Sequence, residues 1–175
     1  MSDDDDWDSE PASSTPPAAA GAPDLWILVD ASGSMTEGGK RYMVRNVART
    51  VEQFVRLGHL DGSIRLAAFR NGEVWTVDWI VNDEFPLDLV FADAPSSPSE
   101  LQRFLEGAAG RFLLVSDGFI DKKSALAITN WKAGLSGNEL FFVPVGGDAV
   151  TRKHRDVAVK PEELWTVVDA WRTRP

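Results

Sequence analysis

The sequence predicts an α/β fold: a Rossmann-like, doubly wound, mostly parallel sheet with one antiparallel edge strand and helices on both faces. Three observations carry that prediction. Short apolar runs at residues 25–29, 112–115 and 140–143 are too brief for helices and are bounded by turn residues, as strands buried on both faces are. Amphipathic helical patterns alternate with them. Finally, "SIRLAAFRNGEVWTVDWIV" carries strand formers on both sides of Asn71-Gly72, a strong hairpin signal that turns one strand antiparallel to its neighbour.

The elements follow in order from residue 24. After the opening strand, Met43, Val44, Val47, Ala48, Val51, Phe54 and Val55 recur at helical spacing, predicting a helix over 40–57 that ends near Gly58. The hairpin comes next. Leu101, Phe104, Leu105 and Ala108 make a second helical stripe, and "RFLLVSDG" repeats the opening pattern, an apolar run delivering an aspartate, Asp117. "SALAITNWKAGL" reads as a helix, "ELFFVPVGG" as another buried strand and "DVAVK" as a short edge strand. "PEELWTVVDAW" closes the chain as a helix with Pro161 in its first turn. Most of the seven tryptophans fall at core or core-edge spacing; Trp7 stands apart as a candidate anchor for a partner.

The 175 residues suffice for one domain with a sizeable core. The formal charge of −9 is uneven: six acidic residues and no Lys or Arg fall within residues 1–23. That stretch, "PASSTPPAAAGAP" included, is too poor in apolar surface to offset its ordering entropy and reads as an acidic, solubilising tail. The domain, residues 24–175, is nearly balanced and has no basic stripe, so nucleic acid is not an expected partner. There is no cysteine, hence no disulfide, thiolate zinc site or cysteine nucleophile. No apolar stretch reaches membrane-spanning length and the start of the chain is acidic, so the expected location is cytoplasmic. "TRKHR" is a small basic patch; His154 within it, like His59, reads as a loop residue at the surface.

Chemistry concentrates at the carboxyl ends of two strands. "LWILVDASGSM" sets Asp30, Ser32 and Ser34 on alternate positions around Gly33, and Asp117 ends a second strand. If the strands are neighbours, two ionised carboxylates repel unless a cation joins them. Mg²⁺ or Mn²⁺ prefers such oxygen ligands, and neutral hydroxyls leave it with residual charge for an incoming acidic group. The plainer alternative is that Ser32 and Ser34 are turn residues capping the next helix.

"LVDASGSM" resembles the first motif of the von Willebrand factor A (vWA) domain, and "LLVSDG" its later aspartate motif. The resemblance runs from about residue 24 to the end of the chain. It implies a metal-ion-dependent adhesion site with Asp30, Ser32, Ser34 and Asp117 as ligands, directly or through water. The family's further ligand is a threonine in a middle loop. Here that loop is "APSSPSELQRFL", where Ser99 fits the family's apolar register and Ser97 is its rival. Both serines also suit capping boxes, Ser97 with Pro98 and Glu100, Ser99 with Gln102. The resemblance implies a non-catalytic module that binds an acidic residue of a partner protein, with an AAA+ ATPase of the MoxR type or a component of a multi-protein conflict system as the kind of partner.

Two other readings stand beside it. One is a Mg²⁺-dependent hydrolase acting on a phosphate ester or nucleotide. Haloacid-dehalogenase chemistry, however, needs an acid–base aspartate two positions after the first, and that position is Ser32. Neither a G-x-S-x-G elbow nor a P-loop is present. The second is a vWA fold that has lost its metal, which the missing threonine motif favours.

Overall fold

The computed structural model describes residues 23–80, 82–135 and 139–172. Among these residues six strands form one sheet: β1 (Leu25–Asp30), β2 (Ile64–Arg70), β3 (Glu73–Val77), β4 (Ser99–Glu100), β5 (Arg111–Ser116) and β6 (Leu140–Pro144), in the spatial order β4-β3-β2-β1-β5-β6. The β2–β1, β1–β5 and β5–β6 pairs are parallel, and β3 runs antiparallel to both its neighbours. The predicted Asn-Gly turn joins β2 to β3, with both residues in the left-handed region that such a turn requires (φ 55° and 80°).

Side chains alternate across the pleat, and each face of the sheet gains its own core. On one face, Leu25, Ile27 and Val29 of β1 pack with Val44, Val47, Ala48 and Val51 of α1 (Lys40–Arg56). Leu164, Val167 and Trp171 of α5 (Leu164–Arg172) join the same layer. On the other face, Leu28, Phe112, Leu114 and Phe142 meet Leu101 and Leu105 of α3 (Leu101–Gly107) and Ala127, Ile128 and Trp131 of α4 (Lys122–Lys132). This is the doubly wound arrangement expected. The short helix α2 (Leu87–Val90), which no apolar periodicity announced, buries Val90 in the α1 layer. Trp75, Trp131 and Trp171 are buried, whereas Trp165 is exposed.

Three local expectations need correction. Residues 156–160 do not form an edge strand; only Ala158 bridges to Phe142 of β6. Val157 offers its carbonyl to Phe142 while its amide is spent on His154 O, inside the preceding turn, so the pairing cannot extend. Neither predicted capping box forms, because Ser99 and Glu100 pair with β3 and α3 starts after them with no side-chain cap. His154 is buried at 7% exposure, its ring 4.9 Å from that of Phe142; His59 is exposed, as expected. The tail assigned to residues 1–23, with Trp7, lies outside the described residues except for Pro23. Among the described residues no helix is long and apolar enough to cross a membrane.

Candidate metal centre

Because β1 and β5 are adjacent and parallel, they end on the same side of the sheet. Their register sets Val29 beside Val115, so Asp30 and Ser116 come next to each other, and Ser116 Oγ donates to Asp30 Oδ2 at 2.6 Å. Asp117 follows immediately. The chain leaves β1 toward β2 on one side and returns to β5 on the other. The β1–β5 gap is therefore the switch point of the sheet, where open α/β folds bind ligands.

The turn after β1 closes over this gap. Ser32 N–H donates to Asp30 Oδ1 at 2.9 Å, and a 3-10 turn, Gly33–Thr36, is tied by Thr36 Oγ1 donating to Gly33 O at 2.7 Å. The hydroxyls of Ser32 and Ser34 lie 3.2 Å apart. Neither caps a helix: the 3-10 turn has no side-chain cap, and α1, whose N-cap is Gly39, has none either. Instead, hydrogen bonds from Ser32 and Ser34 support the carboxylates of Asp30 and Asp117. Asp30, Ser32, Ser34 and Asp117 are thus brought together.

The partner of Asp117 is one the sequence reading missed. Lys40, the first residue of α1, points its Nζ at Asp117 Oδ2 at 2.8 Å and at Asp148 Oδ1 at 3.1 Å. A lysine is rarely buried unless paired, and this one is 6% exposed. Its one trace in the sequence is its register: Lys40 sits four residues before Val44, in line with the apolar stripe of α1. Ser116 was likewise inside the quoted "LLVSDG". The other Asp117 oxygen accepts Phe119 N–H at 3.0 Å. Gly118 lets the segment carrying Asp148 close down. Its φ is +83°, and a Cβ there would stand 2.0 Å from Val150 O.

These contacts set the two carboxylates apart. Burial pushes the Asp30 carboxyl above its ordinary pKa, and the hydrogen bonds from Ser116 and Ser32 only partly offset it. Burial opposes ionisation of Asp117 too, but there Lys40, the Phe119 amide and Ser34 outweigh it and hold the carboxyl below its ordinary value. The expected repulsion between two bare anions is therefore relieved within the chain. Lys40 neutralises one, and burial disfavours the charge on the other.

Ser99 is not brought to the other four. The sheet ladder runs Ser99, Val74, Phe69, Asp30, which sets Ser99 three strand spacings, about 14 Å, from Asp30. Its hydroxyl donates to Val74 O at 3.4 Å. Ser97 is exposed, with φ +50°. The physical reason is the one that removed the capping boxes: backbone pairing with β3 holds this segment at the far edge.

What remains is two carboxylates and two hydroxyls, and among the described residues no group of three or more His, Cys, Asp and Glu is placed to hold a metal ion. As an all-oxygen set, Asp30, Ser32, Ser34 and Asp117 fit a hard divalent cation in kind. One oxygen of Asp117 is meanwhile held by an ammonium. A cleft of about 690 Å³ touching Arg111 and Trp171 opens at the opposite, amino-terminal end of β5, and neither Asp30 nor Asp117 lines it.

No protein-family model matches the chain, and no curated protein does. Solved structures share its fold. Two solved structures of proximal thread matrix protein 1 from the mussel byssus superpose with TM-scores of 0.51 and 0.52, at 16% and 15% identity. The second of them has a zinc-occupied MIDAS motif. Both align with 86% of this chain, which spans about half (47%) of theirs. The pilus adhesin SpaC from Lactobacillus rhamnosus GG aligns with 86% of this chain over 30% of its own, at 11% identity and a TM-score of 0.46. At such identities the likeness to the mussel protein is one of fold.

Proposed function

We propose that this chain is a non-catalytic protein-interaction module of the vWA type. In this reading Asp30, Ser32, Ser34 and Asp117 hold Mg²⁺ or Mn²⁺, and the metal's open face accepts a carboxylate from a partner protein. The observation that carries it is the convergence of two strand-end aspartates and two uncapping serine hydroxyls at the switch point of the sheet. Ser99, three strands away, is left out of the ligand set. The mussel protein's zinc-occupied MIDAS motif on a similar fold supports the metal. Against the hydrolase stands Ser32, at the position where haloacid-dehalogenase chemistry needs an acid–base aspartate. An AAA+ ATPase of the MoxR type, or a conflict-system component, as partner belongs to the same proposal and rests on the sequence resemblance; a cytoplasmic setting is proposed beside it on composition, the sequence having no cysteine.

A second reading has one observation in its favour. The ion pair between Lys40 and Asp117 supplies the charge a metal would supply, as expected of a vWA fold that binds its partner without metal. Affinity capture separates the two. The native chain in Mg²⁺, the native chain in chelator and Asp30→Ala in Mg²⁺ serve as baits, and a MoxR-type ATPase is the first partner tried. Metal-bridged binding predicts capture by the first bait alone. Equal capture with and without chelator contradicts it.

A further inference from the structure

We propose that Lys40 is a tethered competitor of the metal: it holds Asp117 when no divalent cation is bound and moves its ammonium onto Asp148 when one is. The inference rests on the metal-binding reading above and adds a resident cation to it.

The geometry gives Lys40 two seats within one small movement. Its Nζ is 2.8 Å from Asp117 Oδ2 and within 3.2 Å of both oxygens of Asp148. Asp117 is buried and Asp148 is 62% exposed. Leaving Asp117 therefore takes the ammonium toward water while it keeps an ion pair, which avoids the large cost of stranding a buried charge. The path is shaped for this side chain. At Gly146 (φ +94°) an added Cβ would stand 2.7 Å from Lys40 Cε and 2.9 Å from Asp148 Oδ1, so a side chain there would press on both partners of the ion pair. Gly39, at φ +76°, starts α1 so that Lys40 is its first residue.

An ammonium and a divalent cation repel and so compete for one carboxylate. Two consequences follow. The metal-free site is charge-compensated, so the fold persists in chelator. Metal affinity is set partly by how readily Lys40 gives up Asp117.

Titration calorimetry of the full chain with Mn²⁺ tests this, using Lys40→Met, which keeps most of the stem and removes the charge, with circular dichroism to verify folding. We expect Lys40→Met to bind Mn²⁺ at least tenfold more tightly than the native chain. Asp148→Asn should weaken binding in the native background by a larger factor than in Lys40→Met. Equal or weaker binding by a folded Lys40→Met overturns the competitor role and leaves the metal reading standing. Equal effects of Asp148→Asn in both backgrounds overturn the second seat. No Mn²⁺ binding by either chain overturns the metal reading and this inference with it. A readout on the native chain covers a Lys40→Met that fails to fold. The ¹⁵Nζ ammonium signal of Lys40, assigned by its loss in Lys40→Arg, should shift as Mg²⁺ saturates the protein; an unmoved signal at saturation overturns the displacement.

Discussion

Asp30 and Asp117 end neighbouring strands, yet one has its charge opposed by burial and the other has it secured by a lysine. Asp30, Ser32, Ser34 and Asp117 were legible in the sequence because their position is tied to strand ends, which apolar runs reveal. Lys40 was not read, because a lysine in a core-facing register looks like a snorkelling surface residue until its partner, 77 positions on, is known. His154 was misread for a related reason: a basic neighbourhood suggests exposure, but the ring packs on Phe142. Burial, aided by Lys132 and Lys153 and opposed by Asp156, holds its pKa below 6.5. Its Nδ1 is buried with no hydrogen-bond partner among the described residues. The unfolded chain therefore takes up the proton first on acidification. This contribution leaves stability undiminished above about pH 6.5 and lowers it as pH falls toward the folded-state pKa, by at most about 1.4 kcal/mol per pH unit. Urea denaturation at pH 7.5 and 5.5 should show a loss of stability in the native chain that is smaller in His154→Phe; equal losses would remove His154 from the account.

At the scale of elements, Asp121 links two of them. It is the N-cap of α4, accepting from Lys123 N–H and Ser124 N–H at 3.0 Å, and its second oxygen accepts Asn71 N–H from the β2–β3 turn at 2.8 Å. Ser124 Oγ accepts Gly72 N–H at 2.9 Å, so the hairpin turn is tied to the start of a helix on the sheet's other face. Asp121→Ala should cost about 1–2 kcal/mol in chemical denaturation, the usual loss of a cap, and Asp121→Asn less, since it can still cap. A change below about 0.3 kcal/mol for Asp121→Ala would show that water replaces the cap without loss. Strands, long helices and the hairpin were readable because periodicity and turn chemistry are local. The 97–100 segment and residues 156–160 were not, since whether a short stretch caps a helix or pairs with a strand depends on which edge lies open beside it. Ser99 lost its expected place for that reason alone.

For the whole molecule, the sheet order decides the function proposed. Placing β1 between β2 and β5 brings two distant motifs to one switch point, and the alternation of strands and helices along the chain already pointed to it. The central claim is that this end of the sheet binds a divalent cation only when folded. Such a ligand adds RT ln(1 + [L]/Kd) to stability, about 2.7 kcal/mol at a hundredfold excess over Kd, which for a chain of this size raises Tm by roughly 5–10 °C. The most direct measurement is the melting temperature of the native chain and of Asp30→Ala, each in chelator and at increasing Mg²⁺ or Mn²⁺. Metal binding at this site predicts a rise for the native chain that grows with metal concentration, and none for Asp30→Ala. A native melting curve unmoved by saturating metal, or an equal rise in Asp30→Ala, would contradict it.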